Sequence, residues 1–163
     1  KKINKLVQQC KTIKKNKAKI LIFGNGGSAA IANHFAVDMT KNAKIRTQSF
    51  SDSSLITCLA NDYGHSNWVK KAVEFYSSKN DLIIFISSSG NSANIVNAAK
   101  FALSKKIKFT TFTGFEKNNK LSKNSKLNFW VNSKSYNMIE NIHQIILLSV
   151  VDAIIGKSEY KGL

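Results

Sequence analysis

The chain has 163 residues, of which 43% are hydrophobic, and its 25 Lys and Arg outnumber 9 Asp and Glu for a net charge of +16. This length suits one domain with one core, and no apolar run approaches the roughly 20 residues that cross a bilayer, so no membrane partner is expected. Basic chains can bind nucleic acid, but the lysines are scattered and Arg46 is the only arginine; nucleic acid is therefore not expected as a partner.

Hydrophobic spacing predicts strands that alternate with helices along the chain. Ile3, Leu6, Val7 and Ile13 have helical spacing, so an amphipathic helix is expected within residues 1–15. Alternating elements imply an α/β fold in three α/β/α layers, with a mostly parallel, flavodoxin-like sheet in a single domain over residues 1–163. The remaining expected strands are 19–24, 45–50, 82–87, 108–113 and 127–131, and the remaining expected helices are 28–41, 53–60, 68–76, 92–105 and 138–155, with a turn at 61–64.

The last predicted helix, residues 138–155, is apolar on most of its faces. A surface helix of a monomer shows a polar face, so this helix is expected to pack against another subunit. The N-terminal helix, residues 1–15, is expected to contribute to the same oligomer.

Two glycine turns follow predicted strands and precede predicted helices. The first spans Gly24 to Ser28 and the second spans Ser87 to Ser92. Such turns direct backbone N–H groups and hydroxyls at one point, which suits a phosphate, although a turn after a strand also favours glycine for purely structural reasons. Because the arrangement occurs twice, a phosphorylated small molecule is the expected ligand. The predicted binding residues of the two turns are Asn25, Gly26, Gly27, Ser28, Ser87, Ser88, Ser89 and Ser92.

Two pairs of titratable residues have helical spacing. His34 and Asp38 are four apart, and Glu140 and His143 are three apart on a mostly apolar helix. A buried carboxylate is costly unless it is paired or bound to metal. His34, Asp38, Glu140 and His143 are therefore candidates for an acid–base or metal cluster, and a purely structural role for the histidines stays open.

Several motifs resemble the sugar isomerase (SIS) domain family, and within it the phosphoheptose isomerases. They are the two turns, the context of His34, Ala60-Asn-Asp-Tyr-Gly64 and Met138-Ile-Glu-Asn-Ile-His143. The resemblance implies a homotetramer with active sites between subunits, a phosphate held by the serines of both turns, and Asn25 and Asp62 in contact with the sugar. It also implies aldose–ketose isomerisation of sedoheptulose 7-phosphate through an enediol, with zinc as a possible cofactor because some members hold it.

The chain departs from the family pattern at three positions. Asp38 stands where the family has a glutamate, Glu140 matches a glutamine, and Leu148 replaces a histidine that would complete the acid–base pair. Leucine cannot transfer a proton, so a non-catalytic SIS module that binds a phosphosugar or a protein remains the alternative to an isomerase. His65, after the 60–64 motif, is a weaker candidate for the missing group.

The N-terminal segment and the two cysteines indicate the cellular location and the redox state. No hydrophobic signal core follows the Lys-rich N-terminus. Cys10 and Cys58 have no metal-ligand spacing and are expected to be reduced. A cytoplasmic location is therefore expected.

Overall fold

Five parallel strands form one sheet in the computed structural model, which describes residues 1–158. The central strands lie where the longest β-branched and aromatic runs occur, and every residue of β1 and β3 is buried, as expected for strands covered on both faces. The sheet order is β2-β1-β3-β4-β5, which confirms the predicted flavodoxin-like α/β fold. The strands are β1 Ile20–Phe23, β2 Thr47–Ser49, β3 Leu82–Ser87, β4 Lys108–Thr113 and β5 Asn128–Trp130.

Helices cover both faces of the sheet. Side chains alternate along each strand, so Ile20 and Ile22 of β1 enter one core and Leu21 and Phe23 enter the other. The first core is closed by α1, α2 and α6, and the second by α3, α4 and α5. The helices are α1 Lys2–Lys15, α2 Gly27–Lys41, α3 Ser53–Tyr63, α4 Trp68–Tyr76, α5 Ala93–Ser104 and α6 Tyr136–Ile155, with a 3-10 turn at Ser122–Asn124.

The chain order reverses direction in the sheet between β1 and β3. From β1 the chain first moves outward to β2, then returns to place β3 on the other side of β1. The carboxyl ends of β1 and β3 therefore border a crevice, which is where doubly wound sheets bind ligands. Both glycine turns lie there, because each directly follows one of these two strands.

Two helix boundaries differ from the sequence-based predictions by two residues or more. Residues 61–63 continue α3 to Tyr63 rather than forming a turn, because the helix ends only at Gly64, whose φ is +79°. The last helix begins at Tyr136 rather than Met138, because the hydroxyl of Ser135 caps it. Both differences arise from capping, which helix periodicity does not report.

One helix among residues 1–158, α6, is long and apolar enough to cross a membrane by length and composition alone. The expectation that no segment approaches such a length is therefore wrong for α6. The helix carries Glu140, His143 and Asp152 and packs on α1 and α2. Its apolar residues are thus used in part by the first core, and the resemblance to a membrane span is weak.

Candidate functional site

The two glycine turns enclose a small cavity at the crevice between β1 and β3. Its volume is about 100 Å³, which leaves room for a phosphate group. The lining residues come from both turns, the end of β3 and the start of α6: Asn25, Ser28, Ile86, Ser87, Ser88, Ser89, Ser92, Tyr136 and Glu140.

The first turn contains a glycine in a backbone conformation that residues with a side chain rarely adopt. Gly26 has φ +54°, and it precedes the first turn of α2. Ser28, one residue into the helix, is 3% exposed and faces the cavity. The exposed Asn25 exchanges two hydrogen bonds with buried Asn94 of α5, at 3.1 and 2.9 Å. This amide pair ties the first turn to the helix that follows the second turn.

The second turn contains an unpaired hydroxyl. The Ser88 side chain is 5% exposed, and its Oγ has no hydrogen-bond partner among residues 1–158. Ser87 donates to Ser92 Oγ at 3.1 Å, and Gly90, at φ +65°, permits the reversal of the chain. A buried hydroxyl without a partner costs free energy, so Ser88 is a donor available to a ligand in the cavity.

A buried asparagine packs against the second turn. Asn119 is 3% exposed, and a Cβ at Gly90 would lie 2.1 Å from its side chain. Leu121 N–H donates to the Gly90 carbonyl at 2.8 Å, and Gly114 N–H donates to the Ser88 carbonyl at 2.7 Å. These contacts hold the turn in one conformation in the absence of a ligand.

Glu140 lies beside the first turn, at the cavity between the two turns. It lines the cavity, and a Cβ added at Gly27 would lie 2.9 Å or less from both carboxylate oxygens. The carboxylate therefore packs against the first residue of α2, where the helix dipole favours negative charge. None of the ion pairs formed among residues 1–158 includes Glu140.

The His34–Asp38 pair lies further along α2. His34 Nε2 is 3.4 Å from Asp38 Oδ2, and Gln144 of α6 donates to His34 Nδ1 at 3.4 Å. Because Nδ1 accepts, the neutral imidazole carries its proton on Nε2 and directs it at Asp38. Asn42 donates to the other Asp38 oxygen at 3.2 Å. The result is a hydrogen-bonded chain that connects α6 to the outer half of α2.

The predicted set of His34, Asp38 and Glu140 is not assembled into a metal centre within one chain. Glu140 lies beside Gly27, seven residues before His34 and thus about 10 Å away along α2. Residues 1–158 contain no group of three His, Cys, Asp or Glu side chains placed to hold a metal ion. The reason is the packing of α2 on α6, which brings Gln144 rather than Glu140 next to His34.

His143 is a core residue. It is fully buried, its ring packs edge-on against Phe112, and its Nε2 donates to the Thr113 carbonyl at 3.2 Å. Burial lowers the pKa of His143 to about 4, with a smaller opposing contribution from the bond to Thr113. His143 is neutral at pH 7, and its position gives it a structural role.

The other predicted residues lie outside the cavity. Asp62 is exposed in the last turn of α3, where it accepts from Asn61 at 3.0 Å and from the Cys58 thiol at 3.7 Å. His65 is exposed in the following loop, and Leu148 is half-buried on α6 one turn beyond Gln144. The single chain does not bring Asp62 or His65 to the residues around the two turns.

Sequence reasoning missed Asn94, Asn119, Tyr136 and Gln144. Tyr136 begins α6, lines the cavity, and packs its ring 5.0 Å from Phe115. A detectable signal existed for Tyr136 and Gln144, because each is four residues from Glu140 on the same helix face. Asn94 and Asn119 carried no such signal. Asn94 bonds to Asn25 and Asn119 packs against Gly90, and both partners are distant in sequence.

Comparison with known proteins finds a family model, relatives and solved structures that are similar to this chain. A model of the SIS domain family matches residues 1–114. Phosphoheptose isomerase from Aliarcobacter butzleri is 38% identical over 135 residues, which cover 79% of this chain and 71% of that protein. Phosphoheptose isomerase from Fusobacterium nucleatum is 33% identical over 159 residues, covering 94% and 81%. The solved structure of phosphoheptose isomerase from Neisseria gonorrhoeae superposes with a TM-score of 0.87 at 30% identity, covering 94% of this chain and 85% of that one.

Proposed function

The chain belongs to the SIS domain family, and we propose that it is a phosphosugar isomerase that converts sedoheptulose 7-phosphate to the corresponding aldoheptose 7-phosphate. The names of its relatives support this substrate, and the sequence-based resemblance to the family is confirmed. The observation that carries the proposal is the Ser88 hydroxyl, which is buried without a partner in a cavity formed by two glycine turns.

The phosphate would be held by the two turns. Ser28, Ser87, Ser89 and Ser92 line the cavity together with Ser88, and Ser92, the N-cap residue of α5, makes no side-chain capping bond. Uncapped N–H groups and hydroxyls are suited to phosphate oxygens. The positive charge of the whole chain, +16, would raise the local concentration of anionic sugars.

The reacting carbons would lie near His34 and Asp38. Six residues separate Ser28 from His34, which is about 9 Å along α2 at 1.5 Å per residue. An extended seven-carbon sugar with its phosphate in the cavity reaches about that far along the helix. The substrate length therefore supports a role for the pair at the carbonyl end, on the side of α2 that faces Gln144.

Asp38 would act as the base. Its carboxylate would take the proton from the carbon beside the carbonyl, and the released electron pair would form the enediol double bond. His34, 3.4 Å from Asp38, would move the proton between the two neighbouring oxygens, a role that Leu148 cannot fill. Returning the proton from Asp38 to the former carbonyl carbon completes the isomerisation. Glu140 was also predicted as an acid–base partner, but its place beside Gly27 favours a role at the phosphate.

Isomerisation of sedoheptulose 7-phosphate by the purified protein tests this assignment. Asp38→Asn is expected to lower kcat at least roughly a hundredfold, because it removes the base, whereas Asp38→Glu keeps a carboxylate and retains activity. If the unchanged protein converts no five- to seven-carbon sugar phosphate, the enzyme assignment is wrong. Binding of the sugar phosphate without conversion would instead support the non-catalytic alternative, which the relatives do not favour.

A homotetramer is proposed on the exposed apolar surface of α2 and α6. Val37, Met138 and Ile145 are 59%, 55% and 64% exposed. The 20 residues of α6 include no Lys or Arg, although the chain has 25, so two copies can approach here without strong repulsion. Light scattering should give the tetramer mass, and Ile145→Lys should lower it, whereas Lys105→Ala on the other face should not.

No step is assigned to a metal, because residues 1–158 of one chain contain no group of three His, Cys, Asp or Glu side chains placed to hold one. Zinc would need further ligands from a second subunit, which an anomalous scan of crystals soaked with sedoheptulose 7-phosphate would reveal. A cytoplasmic location is also proposed, since Cys10 and Cys58 are both free thiols and a cytoplasmic pool supplies phosphorylated sugars.

A further inference from the structure

A carboxylate lies in a cavity that is otherwise built for an anion. Glu140 shares the cavity with five serines, one of which, Ser88, is 5% exposed and offers a hydroxyl without a partner. Neither Lys nor Arg lines the cavity. The resemblance implies a neutral glutamine at this position in the family, whereas this chain has the carboxylate of Glu140.

The position of the carboxylate is defined by its contact with Gly27. A Cβ at Gly27 would lie 2.2 Å from Glu140 Oε2 and 2.9 Å from Oε1. Only glycine at this position leaves space for the carboxylate. No ion pair among the described residues neutralises Glu140, so its charge faces any anion that enters the cavity.

A carboxylate and an oxyanion can coexist at hydrogen-bond distance only if a proton lies between them. The carboxylate oxygen accepts and never donates when ionised. A phosphate that retains one proton can donate its P–O–H to the carboxylate, with a charge-assisted bond. Sulfate carries no proton near pH 7, so the carboxylate only repels it. This repulsion is strong at a few ångströms in a partly buried site.

We propose that Glu140 makes this cavity select a phosphate that still carries a proton over unprotonated oxyanions such as sulfate. The inference rests on the proposed function, since it assumes that the phosphate of the substrate occupies this cavity. In this role Glu140 accepts a hydrogen bond from the phosphate while the serines donate to its remaining oxygens. The glutamine of the related proteins can donate as well as accept and would not impose this selection.

The test compares inorganic phosphate with sulfate at pH 7 and constant ionic strength. Binding is followed by NMR through the backbone amides of residues 87–92, in the unchanged protein and in Glu140→Gln. The matched control is Glu116→Gln, which removes the same charge from a side chain that is 72% exposed and outside the cavity. Constant ionic strength is needed because a basic chain attracts all anions.

The unchanged protein and Glu116→Gln are expected to bind phosphate at least roughly tenfold more tightly than sulfate. In Glu140→Gln the preference should fall to less than about threefold, mainly through a gain in sulfate affinity. Equal binding of both ions by the unchanged protein would overturn the selection and leave the phosphate site standing. An undiminished preference in Glu140→Gln would do the same. If neither ion binds to either protein at these amides, the phosphate site itself is wrong and the selection falls with it.

Discussion

Two glycines of the first turn are expected to respond very differently to the same substitution. A Cβ at Gly24 would lie 2.5 Å from the backbone carbonyl carbon and oxygen of Ser28, whereas a Cβ at Gly27 would meet the end of the Glu140 side chain. Backbone atoms of a helix start cannot move aside without disturbing α2. A flexible side chain can rotate away into solvent.

The magnitudes follow from these contacts. Gly24→Ala overpacks the turn and is expected to lower the free energy of unfolding by about 3 kcal/mol. In a chain of this size that loss lowers Tm by about 6–12 °C. Gly27→Ala gains up to about 1 kcal/mol of helix propensity and loses the present position of Glu140, so its net change stays within about 1 kcal/mol.

Thermal unfolding followed by circular dichroism, with urea titration at 25 °C, measures both variants against the unchanged protein. A second reading, phosphate binding, should change in Gly27→Ala because the methyl group displaces the carboxylate from the cavity wall. Equal losses of stability in the two variants would refute the reasoning. So would a Gly24→Ala protein as stable as the parent.

Three further predictions concern buried polar groups. Burial lowers the pKa of His143 to about 4, so the unfolded chain binds the proton more readily than the folded one. The free energy of unfolding should therefore fall by about 3 kcal/mol as pH drops from 6.5 to 4. Urea titrations should show a much smaller loss in His143→Leu. Asp81 is 2% exposed and accepts from Lys19 Nζ at 2.7 Å and from the backbone N–H groups of Lys19 and Ser78. Asp81→Ala should therefore lower the free energy of unfolding by about 3 kcal/mol. An unchanged urea midpoint would contradict this. Ser88→Ala should leave Tm within about 2 °C, because no bond is lost, yet weaken phosphate binding; unchanged binding would show that Ser88 is not a ligand.

Local features of the sequence were sufficient for the elements and for the two turns. The apolar runs of β1 and β3 have few alternatives to buried strands, and glycine with serine directly after each run predicts where the chain turns. Capping residues outside the periodic pattern, such as Gly64 and Ser135, account for the differences at the ends of α3 and α6. These are short-range effects that act within four residues.

Contacts between distant residues could not be predicted in the same way. The pairing of Asn25 with Asn94 joins residues 69 apart, and that of His34 with Gln144 joins residues 110 apart. Both depend on the rotation of a helix about its axis, which packing of the whole core decides. For the same reason, spacing along the chain could not show that one chain holds Glu140 apart from His34 and Asp38.

The sequence by itself determined the layered α/β fold, the family and the two turns that face the crevice, because apolar periodicity and glycine placement act locally. Only the tertiary structure decided which side chains share the cavity. It placed Glu140 against Gly27 at the cavity and left His34 with Asp38 and Gln144 further along α2. The physical reason is that α2 and α6 meet along a line of close packing, and the residue opposite each side chain is set by that line and not by spacing along either helix.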